Sequence, residues 1–213
     1  PTARWRLGAD VNFRSGVYMQ TLLRDPVAGV MHSLMYFGFL VLLAVTTVLE
    51  INHQLPEGAK FLHGDVYKAY SFVGDVAGVA FLAGVVWAIL RRYVQKPYRI
   101  RIKTKPEHAL ILGTMFVLGP TGFLAEGARI SQMDQPSFET WSIIGYPLSY
   151  AFNGIDGGTL SVVHQSLWAI HVGSFIVFLV ILPITMLRHI FTSPLNMYLS
   201  DKDRPKGAMK AMP

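Results

Sequence analysis

Long runs without a charged side chain limit this chain more than any other feature. Val27 to Leu49 runs 23 residues without a charge, and Gly157 to Leu187 runs 31. Ala69 to Leu90 is interrupted only by Asp75, and Ala109 to Ala125 gives a further 17 residues before Glu126. A helix needs roughly 20 apolar residues to cross ~30 Å of hydrocarbon at 1.5 Å per residue. The third run only just meets that limit, and Pro120 within it predicts a kink. Only 15% of the residues are charged, against about 25% in soluble domains, so a soluble globular enzyme is excluded. The expected fold is an all-α integral membrane protein, an antiparallel bundle of four transmembrane helices. Residues 131–158, rich in Ser, Pro and Gly, read as an extramembrane loop. The absence of cysteine excludes disulfides, thiolate metal sites, and any iron–sulfur cluster held by this chain alone.

The basic residues set the expected orientation. Arg4, Arg6, Arg14 and Arg24 precede the first span. Arg91, Arg92, Lys96, Arg99, Arg101, Lys103 and Lys105 lie between the second and third, and Arg188, Lys202, Arg204, Lys206 and Lys210 follow the last. In a four-span chain these share one side, leaving Lys60, Lys68 and Arg129 on the other. The positive-inside tendency makes the basic side cytoplasmic, with both ends of this chain there, in the cell inner membrane. The net charge of +6 thus reflects topology and contact with membrane lipid, and no nucleic acid is expected. The chain opens on Pro1 with neither an initiator Met nor a signal peptide. We expect an earlier span to be missing, which divides the sequence into a basic segment (1–26), the bundle (27–190) and a cytoplasmic tail (191–213).

Histidines carry the functional signal. Of the seven, His32, His53, His164, His171 and His189 lie in or beside the spans, and His63 and His108 at loop–helix junctions. Ionisable groups in spans are costly and are functional candidates by default. On a continuous helix His171 and His189 stand five full turns apart, on one face and ~27 Å from each other. His32 and His53 are separated by ~31 Å on the first span. With these spans antiparallel, His32 meets His189 near the cytoplasmic surface, and His53 approaches His171 near the other. Two facing neutral imidazoles at two levels suit two stacked b-type haems, with Gly29, Gly38 and Gly173 leaving room for the macrocycle. His63 and His164 are alternatives to His53 as the fourth ligand. An outer zinc or copper site lacks a recognisable spacing.

The stretch HVGSFIVFLVILPITMLRHIFTSPLNMYL from His171, the Arg91-Arg92 pair, and the segment Lys103 to Leu112 resemble the respiratory nitrate reductase gamma family. LLRDPVAGVMHSLMYFGFLVLL is similar to the cytochrome b domains of heterodisulfide-reductase-like iron–sulfur oxidoreductases. The resemblance implies five spans, bis-His haem b, and electron exchange with menaquinone or ubiquinone. Its matching ligand positions are His32, His171 and His189. Nitrate-type members carry another His ten residues after the first, and here that position is Leu42, which leaves one haem or two open. The expected function is the membrane cytochrome b module of a quinone-linked oxidoreductase. Its partner would be a cytoplasmic iron–sulfur protein or domain within an oligomeric complex. Arg92, Arg188 and Lys105 are candidates to pair with haem propionates or dock the partner. Lys68 and Asp75 are candidates for the quinone site, since a group buried at a cost of up to about 2.5–3.5 kcal/mol needs a reason. The rival readings are a non-redox proton-conducting or transporter-like bundle and a passive membrane anchor.

Overall fold

The computed structural model describes residues 25–199. These contain helices and no strand: α1 (Pro26–Gln54), α2 (Gly64–Ile89), α3 (Tyr98–Arg101), α4 (Pro106–Gln132), α5 (Gly145–Ser149), α6 (Gly157–Ile184) and α7 (His189–Leu199). Four of them, α1, α2 with its extension to Gln95, α4 and α6, are long and apolar enough to cross a membrane. The residues divide into two compact units, Val30–Ile181 and one formed by the chain ends.

Three of the four spans start where the sequence supplies a cap. The Asp25 carboxylate accepts from Ala28 N at 3.2 Å, and Pro26 takes a first-turn position where its missing N–H costs nothing. Asp156 opens α6 likewise, accepting from Thr159 N at 3.0 Å. Its hydrogen bonds to Thr159 hold its carboxyl below the usual range. At α4, Pro106 follows the cap, and His108 Nδ1 accepts from Lys105 N at 3.0 Å. The far end of α1 is tied down by Asn52, whose side-chain oxygen accepts from Phe61 N and Leu62 N.

Inside Val30–Ile181 the spans touch in a ring. Antiparallel α1 and α2 approach at Gly38, where a Cβ would fall 2.7 Å from Phe81 N. The same approach continues where the Tyr70 hydroxyl donates to Val45 O. Such small-residue contacts stand in for a hydrophobic drive that lipid does not supply. Antiparallel α2 and α4 meet through Gly78 against Phe123 and Leu82 against Gly119. The α4 helix meets α6 at His171, and α6 meets α1 through the Phe39 and Phe178 rings, 5.0 Å apart. Only 6% of the most apolar stretch of α1 and 11% of that of α6 is buried, against 39% and 28% in α2 and α4. The helices that carry most candidate ligands thus keep broad apolar faces for lipid or another partner.

Three expectations change. The α6 helix does not continue to His189: Pro183 removes a backbone donor, and Thr185 is extended (φ −108°, ψ −174°) with its side chain accepting from Leu187 N. The five-turn argument linking His171 and His189 therefore fails. Gly38 leaves no room for a macrocycle, because the α2 backbone fills the space beside it, whereas a Cβ at Gly173 would meet nothing within 4 Å. Residues 131–158 are not a loose loop: α5 and two 3-10 turns lie in the segment, and Glu139, Ser142 and Ser149 within it have no exposed surface.

Candidate functional site

The end of Val30–Ile181 away from the basic loop holds a buried polar network. Glu139, brought in by a 3-10 turn, accepts through Oε1 from Arg129 Nη1 at 2.8 Å and from the Tyr67 hydroxyl at 2.8 Å. Arg129 Nη2 also donates to the Tyr67 oxygen at 3.1 Å. The second Glu139 oxygen accepts from the Ser142 hydroxyl at 3.2 Å, and Ser142 and Ser71 share a short hydrogen bond. Deeper still, Asp75 is 2% exposed, and its Oδ2 accepts from Ile144 N at 2.6 Å and Gly145 N at 3.3 Å. The Glu126 carboxyl lies against Gly145, beside Asp75 and Ser142. Gly145 leaves this space to the carboxyl: a Cβ would fall 2.6 Å from the Glu126 carboxyl carbon, so the Glu126 side chain would have to shift. We expect Gly145→Ala to destabilise the protein by about 1–3 kcal/mol, read as a lower melting temperature in detergent. An unchanged melt would mean that Glu126 can vacate this space freely.

The histidines fall into distinct settings. His171 Nδ1 lies 3.1 Å from Leu118 O and 3.2 Å from Thr121 Oγ1, and the Thr121 hydroxyl already donates to Val117 O. Both neighbours are acceptors, so Nδ1 carries the proton, leaving the lone pair of the neutral ring on Nε2. His189 Nδ1 lies 2.6 Å from Met186 O and has the same tautomer. A carbonyl on one ring nitrogen is the usual companion of a metal on the other. His32 is half-buried on α1, and His53 and His63 are exposed at the ends of α1 and the loop before α2. His108 is spent on its helix cap, as an ordinary junction residue. His164 is half-buried on α6.

The structure does not bring His53 to His171. Phe39 touches Phe178, and His171 lies seven residues, ~10 Å, from Phe178 toward the far end. That puts it level with about Thr46. The path through α4 and α2 puts it level with about Phe39. His171 is therefore level with the middle of α1, around Leu42, and His53 stands ~10 Å or more beyond. Among the described residues no group of three or more His, Asp or Glu is arranged to hold a metal ion.

Lys68 forms an ion pair with Asp65 at 2.8 Å in the first turn of α2. It lies two turns from Asp75 along the helix. At the basic end, α2 passes into a π-helical stretch, Leu90–Gln95, that stops at Lys96 in the left-handed region (φ 45°). Arg92 there donates to Thr104 Oγ1 at 3.4 Å, while Arg188 and Lys105 are exposed. Sequence reasoning missed Tyr67, Ser71, Glu139 and Ser142. The available signal was that Asp75, Glu126 and Arg129 fall at similar depths in adjacent spans and need partners.

Residues 30–204 match the nitrate reductase gamma subunit family. The chain belongs to that family. Among curated relatives, it is 31% identical over 196 residues to an EtfAB:quinone oxidoreductase of Syntrophomonas wolfei subsp. wolfei, covering 88% of this chain and 27% of that protein. It is 26% identical over 180 residues to the probable iron–sulfur-binding oxidoreductase FadF of Bacillus subtilis, covering 84% of this chain and 25% of that protein. The chain thus spans about a quarter of the length of these relatives. No solved structure gives a significant match. This gamma-subunit relative is a multi-pass, all-helical membrane protein related to subunits of oxidoreductases.

Proposed function

We propose that this chain carries electrons between an iron–sulfur partner and membrane quinone through one b-type haem held by His32 and His189. The observation behind the reading is the family match over residues 30–204, which includes every candidate imidazole. The donor chemistry fits, since His189 offers Nε2 with its other nitrogen already bonded. When bound, the haem supplies a one-electron couple whose potential its axial ligands and surroundings tune. The protein's part is to present the two imidazoles and exclude water. A second haem on His171 lacks a partner imidazole at its level, so His171 serves as an α4–α6 hydrogen bond. Arg92, Arg188 and Lys105 are the basic groups for propionates or an acidic docking surface.

With no cysteine in the chain, any iron–sulfur clusters belong to a partner or to another domain. The names of the relatives, one a quinone oxidoreductase and the other an iron–sulfur-binding oxidoreductase, support this division of labour. The quinone, menaquinone or ubiquinone, is placed at the far end, with Lys68 orienting a carbonyl and Asp75 in the polar surround. The basic end and both chain ends are placed in the cytoplasm.

Mixing the oxidised, purified full-length protein with a quinol should reduce a haem b signal within the enzyme's turnover time. A colourless preparation, or a haem that quinol never reduces, overturns the reading in favour of a proton-conducting bundle or an anchor. Lys68→Ala should slow this reduction about tenfold, the loss of one charge-assisted hydrogen bond, with haem content unchanged. An unaltered rate would move the quinone site elsewhere.

A further inference from the structure

Glu126 and Asp75 are carboxyl groups inside the membrane part of α4 and α2 that meet at Gly145: Asp75 Oδ2 accepts from Gly145 N at 3.3 Å, and a Cβ on Gly145 would fall 2.6 Å from the Glu126 carboxyl carbon. Two carboxyl groups side by side in an apolar setting share one charge between them, because two carboxylates repel and offer acceptors alone. Asp75 already accepts from Ile144 N and Gly145 N on its Oδ2, which favours it as the anionic partner and Glu126 as the proton holder. A chain of hydrogen-bonding groups begins beside Glu126 and leads outward. It runs from the Ser142 hydroxyl to Glu139 and on to the Tyr67 hydroxyl. Glu139 and Ser142 are fully buried, whereas the Arg129 side chain beside them is 36% exposed and opens the chain to the surface.

The network also faces the interior. Gly122, Glu126 and Arg129 succeed one another at four- and three-residue steps along one α4 face. A Cβ at Gly122 would meet His171 at 3.2 Å. Glu126 therefore lies one turn from the middle of the bundle, between the surface chain and the α4–α6 contact. Tyr70, whose hydroxyl donates to Val45 O on α1, also lies near Glu126.

We propose that Glu126 is the proton-exchanging group of the quinone reaction and that Ser142, Glu139 and Tyr67 form its hydrogen-bonded path to the far surface. The inference rests on the quinone reading above. Converting a quinone to a quinol adds two electrons and two protons, and the reverse reaction returns both. The electrons come from, or go to, the iron–sulfur partner, while the protons pass one at a time through the Glu126 carboxyl, which is reprotonated along Ser142 and Glu139. Arg129 holds Glu139 in place and does not itself release a proton.

A purely structural network would also pin residues 136–152 against α2 and α4, and the test separates the two roles. Glu126→Gln keeps the size of the side chain and an N–H to offer Asp75, so the segment keeps its seat, but the carboxamide cannot pass a proton on. In the full-length protein in liposomes, quinone turnover should fall at least about tenfold, with haem spectrum and melting temperature unchanged. The infrared carbonyl band of a buried protonated carboxyl, shifted in heavy water, should be present in the parent and lost in the variant. Parent-like turnover in Glu126→Gln overturns the proposal. Should that variant fail to fold, absence of the infrared band from the parent overturns it instead, and its presence with loss of turnover in Asp75→Asn supports it. A parent protein with no quinone-linked haem reduction at all defeats the functional reading, which is a separate result.

Discussion

His32→Ala and His189→Ala should each abolish the same haem b absorption, because one iron needs both axial imidazoles. Haem recovered per chain is expected to fall at least about tenfold in either variant, in line with losing an axial ligand and not merely a group that orients one. His171→Ala should retain the signal and lower the melting temperature, since its ring joins α6 to Leu118 and Thr121. Difference spectra and haem extraction on the three proteins decide the matter. If His171→Ala is the colourless one, or if His32 and His189 variants lose different species, the assignment of ligands is wrong.

Arg129→Met should be the most destabilising change away from the imidazoles. Glu139 has no exposed surface, and Arg129 is its only ion-pair partner among the described residues. Removing one member of a buried pair strands the other, a loss of about 3–5 kcal/mol when both are buried. The Arg129 side chain is 36% exposed, so screening by solvent brings the expectation down to about 2–4 kcal/mol. Residues 136–152 should then become susceptible to proteolysis. Glu139→Gln in the Arg129→Met background should recover part of the loss, because the stranded charge is gone. Equal melting temperatures for the parent and Arg129→Met would show that the ion pair contributes nothing.

The spans were legible because the absence of charge over about 20 residues has one physical meaning. The imidazoles were legible by type, since His in a span calls for a reason. Their mutual levels were not. Depth matching from residue counts assumed straight, equally placed helices, whereas Gly38 against Phe81 and Phe39 against Phe178 set the actual register. The break after α6 was half-visible in Pro183, yet the extended Thr185 depends on its own side chain capping Leu187. Residues 131–158 read as a loop because Ser, Pro and Gly are turn formers. Their burial comes from Asp75 and Tyr67, about 70 positions away in sequence, and no local pattern records such a partner.

The most direct test of the central claim is the haem stoichiometry of the purified full-length protein, with the electron paramagnetic resonance spectrum of the oxidised form. The account predicts one low-spin, bis-imidazole b-type haem per chain. No haem would contradict the redox assignment, and two bis-imidazole haems would contradict the reading of His171 as a structural hydrogen bond.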